Sequence, residues 1–399
     1  MMADNRLKLL VTASTFPRGE HDTEPRFVLD LCKCLNKYYK VSVLVPAYPG
    51  CKDLEHIEGI EVIRYHYLPF NKLETLCYPG AIVPRIKEKK IRSLQVPFLF
   101  LGLAWKLFKI QTNYDVIHSH WLIPQGIVQS FFQHPFILTC HGGDIKALNF
   151  SVIKKLKYYA LKHASQITFV SKDLMQFTEE HICKDKSIEY KSSVIPMGVD
   201  TTRFSPSFRI NDYFTNDSKK TVLFVGRFAE KKGISYLIES MKNVPAHLVL
   251  VGTGPLDMQL KREASSAGIS CQFMGAKSHE ELSKIYASAD VLCVPSITAS
   301  NGDTEGMPTV IAEGMASGLP VVATRHGGIP AIVQDGVNGF LVPEKSSEQL
   351  ADKLNKLLSD KTLYTLFREK AIQTAEEFSY DELAKKYREV IDKALSESR

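Results

Sequence analysis

The chain predicts an α/β protein built from two doubly wound domains facing a cleft. Three observations predict it. Short apolar runs ending in polar or glycine-rich turns alternate with amphipathic segments. The alternation stops at a polar stretch, 205–220, and then restarts. A length of 399 residues suffices for two or three domains with ample core. Successive strand–helix units of this kind make parallel sheets covered on both faces, with ligands at the carboxyl ends of the strands.

In the first half, 7–13 reads as a strand, 14–24 as its following loop, about 25–37 as a helix and 41–45 as the next strand. Segment 115–120 is a short strand running into Trp121, 136–140 ends at His141-Gly-Gly-Asp144, and 166–170 ends at Ser171. Segment 194–200 closes this half, and 205–220 reads as a linker. Strands follow at 221–225, 247–251, 271–274, 291–295 and 321–323. The tail, about 375–395, is helical with no strand of its own.

Composition is ordinary for a globular protein, and no run of eighteen or more apolar residues appears. The N-terminus goes directly into a strand without the pattern of a signal peptide. Eight cysteines without paired spacing read as reduced thiols of a cytoplasmic protein, not as a disulfide or zinc framework. Charge is uneven: residues 1–200 hold 26 Lys+Arg against 19 Asp+Glu, net +7, and residues 201–399 hold 24 against 25, net −1. A basic first half suits phosphates, nucleic acid or an anionic membrane. No nucleic-acid motif accompanies it, so nucleic acid is not expected as a partner.

The segment from Ser300 to Glu313 carries the most chemistry. Glu305 and Glu313 stand eight positions apart, separated by Gly306, Met307, Pro308 and Thr309. A helix beginning near Pro308 places Glu313 about one and a half turns inside it and leaves Glu305 on the preceding loop. Open first-turn amides favour an anion between the two acids. Acid, amide cradle and acid suit a ligand made of sugar, phosphates and sugar, the outline of a nucleotide sugar. Two solvated glutamates are the plain alternative, but the flanking strands 290–296 and 319–324 make a βαβ unit of this segment.

A second element is Gly226-Arg227, with Lys231, Lys232 and Gly233 after it. Arg227 and Lys232 at a strand end can meet one diphosphate with a fork and a point charge. A solvated turn with surface cations is the alternative. Gly252-Thr-Gly254-Pro marks a tight turn near a nucleotide, or simply a turn; Asp257 at the third glycine position weakens any dinucleotide reading.

Together, Gly-Arg-x4-Lys-Gly, Val-Gly-x-Gly-Pro, Glu-Gly-x-Pro with a second Glu eight on, Gly318–Thr324 and the Gly-x-Asn-Gly-Phe-Leu-Val at 336–342 resemble the retaining glycosyltransferases of family 4. The resemblance spans nearly the whole chain. Thr15-Phe-Pro, His118–Gly126 and His141-Gly-Gly-Asp144 resemble the subgroup that builds bacterial exopolysaccharides and related surface glycans.

The resemblance implies the GT-B fold: an acceptor domain at 1–204 completed by a C-terminal helix, 377–399, and a donor domain at 205–376. It implies a nucleotide-sugar donor, by family frequency a UDP-sugar, and a glycan or lipid-linked acceptor. It implies that Arg227 and Lys232 hold the diphosphate and that Glu313 takes the ribose hydroxyls. Glu305 would then contact the donor sugar, with the backbone of Gly306, Met307, Pro308 and Thr309 against sugar and phosphate. His141 would stand near the reacting carbon, and Arg18, Glu20 and Asp144 on the acceptor side. No carboxylate stands out as a nucleophile, which agrees with front-face retention. Neither a metal nor another cofactor is expected. Asp303-Thr-Glu305 is not the Asp-x-Asp motif of another transferase fold. The first loop departs from many relatives in having one glycine, Gly19, where they have a pair.

Segment 85–109 mixes cations with Phe98, Leu101, Trp105 and Phe108 and reads as one basic, aromatic helix. It suits the inner face of a cell membrane, or a core-facing helix with a charged rim. A second basic helix is expected at 154–162. Two further functions are weighed: a nucleotide-sugar isomerase of the same fold, and an idle partner subunit. The isomerase relatives lack the Gly-Arg-x4-Lys and paired-acid pattern. An idle subunit is expected to have lost some of Arg227, Lys232, Glu305 and Glu313, and all four are present.

Overall fold

The computed structural model describes residues 6–19, 22, 24–80, 82–214, 220–300, 302 and 304–397. The chain divides into two units, Met1–Pro196 with Leu383–Arg399, and Met197–Glu382.

The first unit holds an eight-stranded sheet: β1 Lys8–Thr12, β2 Lys40–Pro46, β3 Leu54–Ile57, β4 Ile60–Tyr65, β5 Val116–His120, β6 Phe136–Cys140, β7 Gln166–Phe169 and β8 Ser192–Val194. Their order is β3-β4-β2-β1-β5-β6-β7-β8. Every pairing is parallel except β3 with β4. The chain moves outward from β1 to β2 and then returns to place β5 on β1's other side, so β1/β5 is the switch point where such sheets take ligands. Sequence reasoning passed over β3 and β4. The β3 run, Leu-Glu-His-Ile, has only four residues, two of them polar, and its antiparallel edge position needs no apolar run.

The second unit holds β9 Thr221–Val225, β10 His247–Val251, β11 Cys271–Gly275, β12 Val291–Val294, β13 Val321–Thr324 and β14 Gly339–Val342, in the order β11-β10-β9-β12-β13-β14. All pairings are parallel. Alternate residues feed two cores. Leu223, Val225, Val249, Leu292 and Val321 share one with the helix Thr309–Ala316. Val222, Phe224, Leu248, Val291 and Val322 share the other with the helices Ile234–Ser240 and Ser347–Ser359. Period-two alternation with both faces buried is what reads as an unbroken apolar run. The switch point is β9/β12.

The expected linker is part of this unit where it is described. The turn Pro206–Phe208 packs on the helix His279–Ser288, and Arg209 donates to the carbonyls of Ala287 and Ala289. The helix Tyr380–Ser396 returns the chain to the first unit. It buries Leu383, Ala384, Tyr387, Ile391 and Ala394, a stripe at helical spacing. The Tyr387 ring lies 5.0 Å from that of His118, and the Tyr39 hydroxyl donates to Asp392 at 3.0 Å.

The expected single helix at 85–109 is instead three pieces: the helix Ile82–Glu88, the 3-10 segment Lys90–Gln95 and the helix Val96–Ile110. Lys89 between the first two is extended, and Pro97, which lacks an N–H, is tolerated only in the first turn of the last.

Candidate active site

In the second unit Lys232 and Glu305 meet beyond the carboxyl ends of β9 and β12, and Arg227 and Glu313 lie on the same two connections. Gly226 and Arg227 leave β9, and a short 3-10 turn, Glu230–Lys232, follows. Gly233 closes that turn at φ 63°, and a Cβ there would lie 1.9 Å from the Pro295 carbonyl oxygen beyond β12. Only glycine lets the turn approach so closely. The approach is fixed by the Ile297 amide donating to the Lys231 carbonyl at 2.8 Å. Lys231 and Lys232 therefore face the loop that carries Glu305.

The carboxylate of Glu305 is nearly buried and lies 3.1 Å from Lys232 Nζ and 3.5 Å from Lys231 Nζ. Burial pushes its carboxyl up, but Lys232 and Lys231 outweigh that and hold it below the usual range. It is thus an ionised group, able only to accept hydrogen bonds. The helix Thr309–Ala316 starts four residues on, with Pro308 at its N-cap, as the spacing predicts. Glu313, half-buried inside it, accepts from the Tyr286 hydroxyl at 2.9 Å. Arg227 is exposed. The Gly252-Thr-Gly254 turn has a packing reason: a Cβ on Gly252 would lie 2.0 Å from the Gly226 oxygen, and one on Gly254 2.4 Å from the Phe228 oxygen. The two glycines seat the loop that presents Arg227.

One group was missed by sequence reasoning. His326, buried in the loop after β13, accepts from the Glu305 amide at Nε2, 3.1 Å. Its Nδ1 lies 2.6 Å from Glu344, so this ring nitrogen carries the proton and donates it. Against burial, the Thr298 amide and His326 hold the Glu344 carboxyl below its usual range. Gly328 completes the contact, its amide donating to the Gly306 carbonyl at 2.7 Å. A run of His-Gly-Gly just after a strand was the available signal.

In the first unit, His141 follows β6, half-buried, with its Nε2 3.0 Å from Nδ1 of the buried His120 at the end of β5. Phe27 and Trp121 lie tilted against the His141 ring, with ring centroids at 5.2 and 4.8 Å. Burial lowers His141 to about 3 and holds His120 well below its ordinary value, so both imidazoles are neutral. Asp144 is buried. Its carboxylate accepts from the amides of Leu122, Gly142 and His141, at 2.7, 2.8 and 3.2 Å. It thus fastens the His141 loop to the end of β5. Arg18 is ion-paired with Asp22 at 2.8 Å, and Glu20 lies outside the described residues. Among the described residues no cluster of His, Cys, Asp and Glu suits a metal ion.

The frame of the site is thus two doubly wound units, one with an acid–lysine cluster at its switch point. The comparisons give it a family. The family model for "Glycosyl transferases group 1" matches residues 208–377, and that for "Glycosyltransferase Family 4" matches residues 25–203. An uncharacterized glycosyltransferase of Methanocaldococcus jannaschii is 30% identical over 377 residues, covering 87% of this chain and 88% of its own. A putative colanic acid biosynthesis glycosyltransferase of Salmonella typhimurium is 36% identical over 177 residues, 41% of each chain. HepE of Anabaena, solved in complex with UDP-glucose, superposes with a TM-score of 0.70 at 18% identity, over 97% of this chain and 100% of its own. The chain belongs to glycosyltransferase family 4 and has the GT-B fold. It is a transferase of glycan biosynthesis.

Proposed function

We propose that the chain is a retaining hexosyltransferase. It moves a sugar from a nucleotide sugar, a UDP-sugar by preference, to a glycan or lipid-linked acceptor in bacterial surface polysaccharide synthesis. The observation that carries this reading is the Lys231–Glu305–Lys232 cluster beside the start of the helix that holds Glu313. Cleaving a sugar–phosphate bond places negative charge on the leaving diphosphate. Fixed cations and helix-end amides stabilise that charge as it grows. Arg227 and Lys232 are the diphosphate ligands in this reading, and Glu313 takes the ribose hydroxyls. Glu305, ionised and held by two lysines, accepts from hydroxyls of the donor sugar. The backbone from Gly306 to Thr309 lies along sugar and phosphate.

In the first unit His141, neutral and oriented by His120, serves the reacting carbon. The departing phosphate takes the acceptor's proton, which needs no protein nucleophile and no metal. Arg18 and Glu20 belong to the acceptor side. Asp144, whose carboxylate is occupied by backbone amides, acts there through His141. The colanic acid relative and the UDP-glucose complex of HepE support the substrate classes. Calorimetric titration of UDP and GDP, with and without Mg²⁺, tests the donor site. Metal-independent binding of one nucleotide, lost in Arg227→Ala, is expected. Binding of neither nucleotide sinks the reading and favours an idle subunit.

A further inference from the structure

The helix Val96–Ile110 has two apolar faces. Leu99, Leu103 and Leu107 are buried against the first unit, while Phe98, Leu101, Trp105 and Phe108 are each at least half exposed. At about 100° per residue the two sets lie on opposite sides of the helix. Ile91 and Leu94, just upstream, extend the exposed set. Six large apolar side chains left to water on one short segment exceed what scattered surface residues require.

Charge accompanies the ridge. Residues 82–113 hold seven Lys and Arg (85, 87, 89, 90, 92, 106 and 109) against one acid, Glu88, a net of +6. Arg85 and Arg92 both pair with Glu88. Lys87, Lys89, Lys90 and Lys109 are exposed, and Lys109 Nζ sits 4.5 Å above the Trp105 ring. The short helix Ile127–Gln129 packs on both Val96–Ile110 and the helix Ser151–His163, where Phe150, Val152, Lys154 and Lys155 continue the same mixture.

We propose that this face docks on an anionic bilayer, with the Val96–Ile110 helix flat in the interface. Its aromatic ridge enters the headgroup boundary, and its lysines meet lipid phosphates. By length and composition Lys90–Asn113 suffices to cross a membrane. The seating of the helix argues against crossing. A Cβ on Gly102 would lie 2.6 Å from the His66 carbonyl oxygen, so the helix rests directly on the chain after β4, and three leucines anchor that side. A second copy is disfavoured by charge, because a twofold pairing of this ridge sets like charges against each other.

Flotation of the full chain with phosphatidylcholine vesicles, with and without phosphatidylglycerol, tests the proposal. Binding is expected only with phosphatidylglycerol and should weaken with salt. Replacing Lys89, Lys90 and Lys109 by Ala should lower the partition coefficient on the order of a hundredfold, at about 1 kcal/mol for each surface cation. Phe98→Ser with Phe108→Ser should abolish insertion, read as the loss of Trp105 quenching by spin-labelled lipid. UDP affinity serves as the check that these variants fold, and it should not move. No binding to phosphatidylglycerol vesicles overturns the proposal. Binding that the variants leave unchanged, or dimerisation lost in them without vesicle binding, overturns it equally.

Discussion

His326→Ala removes a group that is not itself a predicted substrate contact, yet it should damage the donor site through Glu305. His326 is 3% exposed and makes two hydrogen bonds, from the Glu305 amide at 3.1 Å and to Glu344 at 2.6 Å. Losing the first strands a buried amide, at about 1–3 kcal/mol. Losing the second removes a bond to a charged group, worth about 1.5–3 kcal/mol. Glu344 is partly exposed and keeps the Thr298 amide, so this cost falls at the low end. The sum is about 2.5–4.5 kcal/mol, set against the loop that carries Glu305. Urea unfolding gives the stability loss, and steady-state transfer at varied donor gives KM and kcat. The expected pattern is a fall of that size in stability, with donor KM raised more than tenfold. His326→Gln, which offers both an acceptor and a donor, should recover part of each. If His326→Ala unfolds within about 0.5 kcal/mol of the parent with unchanged KM, within the range of neutral surface changes, the reasoning is wrong.

Glu313→Ala should weaken UDP binding at least tenfold by calorimetry, and Tyr286→Phe, which removes one hydrogen bond to Glu313, by less. Gly254→Ala forces a Cβ to 2.4 Å from the Phe228 oxygen and should cost about 1–3 kcal/mol in urea unfolding, with lower UDP affinity through Arg227. His141→Ala should depress kcat far more than UDP affinity; equal effects on both would remove it from the reacting carbon. Acid stability tests the buried histidine His118, whose value burial lowers from 6.5 to about 3. Between those values the unfolded chain holds a proton that the folded chain lacks. Stability is therefore complete above about pH 6.5 and lost as pH falls. In His118→Asn the acid slope should flatten by about 1.4 kcal/mol per pH unit, measured by urea unfolding from pH 4 to 6.5.

What could be read in the chain was what is local. The strands Thr221–Val225, His247–Val251, Val291–Val294 and Val321–Thr324 announced themselves because both of their faces are buried. The eight-residue interval between Glu305 and Glu313 fixed one acid on a loop and one in a helix. The pair Leu54–Ile57 and Ile60–Tyr65 escaped because its edge strand is only four residues long, two of them polar. His326 escaped because its partners are Glu305 and Glu344, 21 and 18 positions away, with no motif linking them. The role of Asp144 depends on three backbone amides, and no spacing encodes those. Pro97 confines the start of the Val96–Ile110 helix to its own first turn, and the extended Lys89 ends the preceding helix with no local signal in the sequence.

The return of the C-terminal helix has a consequence in time. Its buried stripe, including the Tyr387 ring over His118, belongs to a unit whose other residues end at Pro196. Between Pro196 and Leu383 the ribosome must add the whole of Met197–Glu382, 382 − 196 = 186 residues. At about 5–20 residues per second this takes roughly 10–40 s. Throughout that interval the nascent first unit stands with an apolar trough open, while the second unit emerges complete and free to fold at once. The part made first is finished last, so a chain released early carries an intact second unit beside an uncovered first one.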